Sequence, residues 1–157
     1  MKVLKGLGYL LIVYVVFVVL FEAAFLGWYQ PSFEDPGGGP DATGGKGLRR
    51  DCGIPMILLT TLDDDGQANT TMVARFLTDG ALYVSAHHWS RGWYKTAIKN
   101  PGLRGEIQGN IENYLAVPVV GEEFDRVATD HPLPLVTQFL MGFPPSRQIL
   151  RLDPVTD

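Results

Sequence analysis

Sixteen consecutive residues without a charge, GLGYLLIVYVVFVVLF from Gly6 to Phe21, constrain this chain more than any other feature. After Glu22 the apolar text resumes as AAFLGWY and ends at Tyr29. A helix over residues 6–29 is about 36 Å long, against roughly 30 Å of bilayer hydrocarbon. Tyr9 and Tyr14 lie toward one end, and Trp28 with Tyr29 forms an aromatic pair at the other. Rings of this kind collect at membrane interfaces. The segment predicts a single transmembrane anchor within residues 1–29. The competing reading, a cleaved signal peptide, needs small residues at the cleavage site, and Glu22-Ala23-Ala24 puts a carboxylate there. Glu22 itself has two placements. With a span of 6–29 it lies in hydrocarbon and needs a partner or a proton. With a span of about 3–21 it rests at the interface while Lys2 and Lys5 snorkel to the other side, and this placement costs less.

Residues 30–48, QPSFEDPGGGPDATGGKGL, hold six glycines and three prolines in nineteen positions, a composition that sustains neither a helix nor a core. A linker is expected over 30–52, leaving one domain over 53–157 within a chain of 157 residues. Thirteen basic against seventeen acidic residues give a net charge of −4, so the chain lacks the electrostatic footprint of a nucleic-acid binder. A single cysteine, Cys52, excludes an internal disulfide and a Cys-rich zinc site.

Beyond the linker the text is that of a β-rich domain. Ile54–Thr61 and Ala68–Phe76 flank the turn cluster Asp63-Asp64-Asp65-Gly66 and read as a hairpin. Thr78-Asp79-Gly80 introduces a strand over Ala81–Ala86. Ser90–Lys99 reads as a helix stopped by Asn100-Pro101. Leu103–Gln108 and Ile111–Val120 flank Gly109-Asn110 as a second hairpin, with Pro118 marking an edge or a strand end. A helix over 132–141 and a closing strand over Gln148–Leu152 complete the pattern. Consecutive antiparallel strands with short inserted helices predict a mainly β (α+β) domain, a small antiparallel barrel, preceded by the single transmembrane helix.

Few local features carry chemistry. His87-His88-Trp89 follows a strand end, a place where loops often carry sites. Adjacent histidines in a strand point to opposite faces, and His131 is distant, so no metal site is expected. Either histidine can instead donate a hydrogen bond to a bound anion or ring. Trp93 and Tyr94 suit the packing of a short helix against a barrel as well as they suit a ligand pocket. Three consecutive carboxylates at 63–65 cannot converge on calcium as alternating ligands do, and a solvated turn explains them. No dinucleotide loop, phosphate loop, CxxC, HExxH or GxSxG pattern occurs.

Taken together, PMILLTT (55–61), ANTTMVARFLTDGALYVSA (68–86), GWYKTAIKNPGL (92–103) and RQILRLDPV (147–155) resemble the deazaflavin-dependent nitroreductase family. The resemblance implies a split β-barrel shared with flavin-binding proteins of the pyridoxamine-phosphate-oxidase type. It implies a site for the deazaflavin coenzyme F-420, with FMN as the second choice, and hydride transfer to a nitro compound, a quinone or another lipophilic acceptor. By position, the cofactor pocket would be formed by Gln67, Ala68, Asn69, Thr70, Thr71, Met72, Ala86, His87, His88, Trp93 and Lys95; no individual catalytic residue is assigned. The family usually carries a basic, glycine-containing loop after its first strand, whereas this chain carries Asp63-Asp64-Asp65-Gly66. Three carboxylates repel an anionic tail. That departure supports a second expectation: a barrel without cofactor, acting as an accessory subunit docked into a membrane complex through its N-terminal helix, or as a binder of apolar ligands. In either case the bilayer is an expected partner.

Overall fold

The computed structural model describes residues 2–29, 33–34, 50–51, 54–89 and 91–155. Helix α1 (Lys2–Ala24) continues into a π-helical turn over Phe25–Tyr29. Residues Lys5–Tyr29, whose most apolar stretch of 18 residues has mean hydropathy 2.6, make one helix long and apolar enough to cross a membrane by length and composition. The expected linker falls largely outside the described residues. Its described parts are two short strands, β1 (Phe33–Glu34) and β2 (Arg50–Asp51), paired in parallel.

The remaining strands are β3 (Met56–Leu62), β4 (Ala68–Thr78), β5 (Ala81–Ala86), β6 (Gly102–Ile107), β7 (Asn110–Pro118) and β8 (Gln148–Pro154). They close into an antiparallel barrel in the order β3-β4-β5-β8-β7-β6. This is the fold expected from the pattern of strands and turns. Alternation along β3 turns Ile57, Leu59 and Thr61 inward. Ile57 and Leu59 meet Val73, Val84, Leu103, Tyr114, Leu150 and Leu152 inside the barrel. Gly105 is required there by space, because a Cβ at this position would lie 2.7 Å from the Tyr114 ring and 2.9 Å from Ile57 Cδ1.

Helix α2 (Gly92–Lys99) closes one end of the barrel, with Ala97 fully buried and Trp93 and Tyr94 packed on the same core. Helix α3 (Gly121–Asp130) covers the outer face of β5 and β8, burying Val127 against Tyr83, Val119 and Ile149. Cover on both faces leaves four consecutive positions of β5, Tyr83–Ala86, buried. Arg151 on β8 fastens the same helix, donating to Glu123 at 2.8 Å and to Asp153 at 2.7 Å. Helix α4 (Leu135–Leu140) is the short helix expected over 132–141.

Three local expectations are corrected. Helix α3 was not expected, although its signals are present: Glu122 and Glu123 in the first turn, then Phe124, Val127 and Ala128 on one face. The β6–β7 turn falls on Gln108-Gly109, both with positive φ, rather than on Gly109-Asn110, so Asn110 begins β7. Helix α2 begins at Gly92, after Arg91 in the left-handed conformation (φ 43°, ψ 29°), and Ser90 lies outside the described residues. Pro118 is the last residue of β7, a strand end as expected.

Candidate functional site

The residues singled out for a pocket fall in three places. The first is the leading half of β4. Ala68–Ala74 pair with β3, from Leu62↔Ala68 to Met56↔Ala74. On the other side β4 pairs with β5 only over Arg75–Thr78, so the two strands are apart from Ala68 to Ala74. Gln67, Ala68, Asn69 and Thr70 are exposed, and Thr71 and Met72 are half-buried. Thr70 Oγ1 lies 3.0 Å from Thr60 Oγ1, and the Asn69 carbonyl accepts from Thr61 Oγ1 at 3.4 Å. The preceding turn is self-capped: Asp63 Oδ1 accepts from the backbone N–H of Asp65 at 3.1 Å and of Gln67 at 2.7 Å. Lys99 Nζ pairs with Asp64 at 2.8 Å, an exposed pair that offsets one of the three carboxylates.

The second place is the end of β5. Ala86 is buried, and the chain turns out of the barrel at His87. His87 Nδ1 lies 3.1 Å from Ser85 Oγ. Burial pushes the His87 imidazole down to about 4, helped by the positive potential of His88, Arg147 and Arg91, so it is neutral near pH 7. The two imidazoles were expected on opposite faces of a strand. Instead their ring centroids are 4.8 Å apart, because both lie beyond the last residue of β5 and pleating no longer separates them. His88 Nδ1 faces Glu22 Oε1 of α1 at 3.3 Å, with side chains only 16% and 13% exposed, and Phe25 stacks on the same imidazole. The carboxylate in the apolar run therefore has its partner on the barrel.

Arg91 and Arg147 hold this corner to the chain before β8. Arg91 donates to the carbonyls of His88 (3.0 Å), Ser146 (2.9 Å) and Pro145. Arg147 donates to the carbonyls of His131 at 2.6 Å and Val127 at 3.4 Å. Trp89 Nε1 donates to the Met141 carbonyl at 3.0 Å. Ser85 and Arg147 were not singled out from the sequence; Glu22 was, as the lone charge in an apolar segment that needs a partner or a proton.

The third place is α2. Trp93 and Tyr94 pack into the barrel core, with their rings edge to face at 6.1 Å, while Lys95 is exposed. Trp93 thus holds the helix on the barrel. Two open depressions lie on the described surface, the second beside the turn at 63–66. One, of about 440 Å³, is lined by Asp79–Leu82, Glu112, Tyr114 and Leu152–Pro154. The other, of about 530 Å³, is lined by Leu62, Asp63, Asp64, Gly66, Asn100 and Gly102. No group of three or more metal-ligating side chains occurs among the described residues.

A flavin-type ring and its tail meet different conditions here. The flank of β4 that has parted from β5 offers backbone edge; Thr70 and Thr71, adjacent on the strand, turn to opposite faces, with Thr70 Oγ1 3.0 Å from Thr60 Oγ1. The turn at 63–65 does not suit the polyanionic tail of coenzyme F-420, since two of its carboxylates line the adjoining depression and, among the described residues, only Asp64 has a lysine partner.

No protein-family model and no curated protein matches the sequence. Solved structures do match. An F420-H2 dependent reductase superposes with a TM-score of 0.50 at 16% identity, covering 63% of this chain and 94% of that one. A protein described as a domain-swapped dimer gives a TM-score of 0.51 at 16% identity, covering 63% and 80%. The heme storage protein HutZ from Vibrio cholerae gives 0.45 at 14% identity, covering 65% and 82%. At these identities the likeness is one of fold. The chain shares their barrel fold, and no family is shown.

Proposed function

We propose that this protein is a membrane-anchored oxidoreductase whose split barrel holds a deazaflavin or flavin and reduces a lipophilic acceptor such as a quinone or a nitro compound. The observation that carries this reading is the parting of β4 from β5 over Ala68–Ala74, on a barrel that covers nearly all of an F420-H2 dependent reductase. Asn69, Thr70 and Thr71 on that flank would bind the ring edge, and the tail would run away from Asp63–Asp65. When bound, the cofactor supplies the hydride. The chain itself orients the ring and keeps neutral His87, hydrogen-bonded to Ser85, at the end of β5. The apolar helix Lys5–Tyr29 supports a bilayer location, where a lipophilic acceptor is already concentrated.

A cofactor-free accessory role is the second reading, and two observations favour it: the acidic turn at 63–65, and the cover of Glu22 and Phe25 over His88. Fluorescence titration of the full chain in detergent with F-420 and with FMN separates the two. Saturable binding at micromolar concentration, weakened by Thr70→Val together with Thr71→Val, is expected. No binding of either compound at tens of micromolar refutes the oxidoreductase reading in favour of the accessory one.

A further inference from the structure

The apolar helix does not stand apart from the barrel. Its contacts form one stripe at helical spacing: Tyr14, Val18, Glu22 and Phe25. Tyr14 Oη donates to the Phe139 carbonyl at 2.7 Å, and the Tyr14 and Phe139 rings lie 5.0 Å apart. Val18, buried on this stripe, sits against Gly142. Glu22 and Phe25 reach His88. The partners change character along the helix. Near Phe25 they belong to the polar corner of His88, Arg91 and Arg147; near Tyr14 they belong to the uncharged stretch LVTQFLMGF (135–143).

We infer that α4 and the turn that follows it, residues 135–143, are immersed in the near leaflet of the bilayer beside the C-terminal half of the span. This rests on the anchor reading above. With Lys2 and Lys5 at the far interface and Glu22 at the near one, residues 3–21 cross about 28 Å at ~1.5 Å per residue, close to the hydrocarbon thickness. Tyr14 then lies about 12 Å below Glu22, within one leaflet of roughly 15 Å, and Phe139 lies beside it. The side chains there suit acyl chains rather than water: Leu135 and Val136 are each 70% exposed, Phe139 48% and Phe143 52%.

The backbone supports the same placement, because in hydrocarbon polar groups must find partners inside the protein. The carbonyls of Leu133, Pro134, Thr137 and Gln138 accept from Gln138 Nε2, Gln138 N, Met141 N and Phe143 N. The Phe139 carbonyl accepts from Gly142 N and from Tyr14, and the Met141 carbonyl from Trp89. Two side chains from distant parts of the sequence thus satisfy the C-terminal end of a helix of only six residues. A water-facing helix end has no need of such caps.

The test uses the full chain carrying Cys52→Ser, with one cysteine introduced at Leu10, Val136 or Ile111, labelled with an environment-sensitive NBD dye and reconstituted into phosphatidylcholine vesicles. Ile111 is exposed and lies at the start of β7, seven residues from Pro118, which pairs with Leu150 near the α4 end of β8. Dye at Val136→Cys is expected to emit to the blue of dye at Ile111→Cys and to be quenched several-fold more by doxyl-labelled lipid, as at Leu10→Cys. If position 136 behaves like 111 while position 10 is quenched, the immersion of α4 is wrong and the anchor stands. If position 10 also escapes quenching, the anchor reading fails, and the immersion with it.

Discussion

Gly142 offers a direct measurement of whether the apolar helix is seated on the barrel. Its φ is +69°, and a Cβ built there would lie 2.6 Å from Val18 Cγ1, 3.2 Å from Cγ2 and 3.4 Å from Cβ. Gly142→Ala therefore meets two separable penalties. The left-handed backbone costs a non-glycine residue about 1 kcal/mol wherever α1 lies. The overlap with the Val18 methyls adds roughly 1–3 kcal/mol, and only if α1 is docked. Val18→Ala alone removes two methyls from a packed contact and costs about 1 kcal/mol in lost van der Waals packing. In the double variant the nearest remaining Val18 atom position is the Cβ at 3.4 Å, an ordinary contact, so the overlap disappears while the backbone penalty stays. The single-variant losses should thus exceed the double-variant loss by roughly 1–3 kcal/mol. Urea unfolding in detergent micelles, followed by the fluorescence of Trp89 in a background with Trp28 and Trp93 replaced by Phe, reads all four proteins; Trp89 donates to the neighbouring Met141 carbonyl. Losses that add to within about 0.5 kcal/mol would refute the docked arrangement.

His87 makes stability depend on pH in a defined direction. The unfolded imidazole titrates near 6.5 and the folded one near 4, so between these values the unfolded chain binds more protons. Stability should fall as pH drops through that window, by an amount on the order of 3 kcal/mol, and His87→Gln should flatten that part of the profile in urea titrations at stepped pH. An unchanged slope in the variant refutes the assignment. For the acidic turn, Asp64→Arg with Asp65→Lys should raise F-420 affinity on the order of tenfold at low salt, the gain shrinking as salt is added. Asp63 is kept because its carboxylate caps the turn, and fluorescence titration across a salt series is the measurement.

The barrel was legible because its signals are local. Asp79-Gly80 takes positive φ at both residues, as a tight hairpin turn requires, and the alternation of β3 survives in its burial. Helix α3 was equally local and was passed over because its apolar face holds only three residues among charges. The arrangement around His88 was not legible at all. Its partner Glu22 lies sixty-six positions away, and nothing in either neighbourhood marks the pairing. In the sequence Glu22 looks like a cost to an apolar helix. On the folded chain the same carboxylate faces an imidazole in a half-buried corner, so the interruption that made the span ambiguous is the point where the span meets the barrel.

The same seam bears on how the proposed chemistry would be reached. His88 lies between the neutral His87, at the end of β5, and the ring of Phe25, at the end of the apolar helix. On the proposed function, a lipophilic acceptor leaving the bilayer along the exposed face of α4 would arrive at this corner, where Trp89 and Met141 join the two loops. Displacing Phe25 from His88 would uncover it. Phe25→Ala removes that cover while leaving Glu22 in place, so the pair at 3.3 Å still holds the helix to the barrel. If the covered corner is the way in for the acceptor, Phe25→Ala should raise turnover with bulky quinones more than with small nitro compounds. Equal effects on both would separate the corner from the path of the substrate and leave Phe25 a packing residue of the helix–barrel seam.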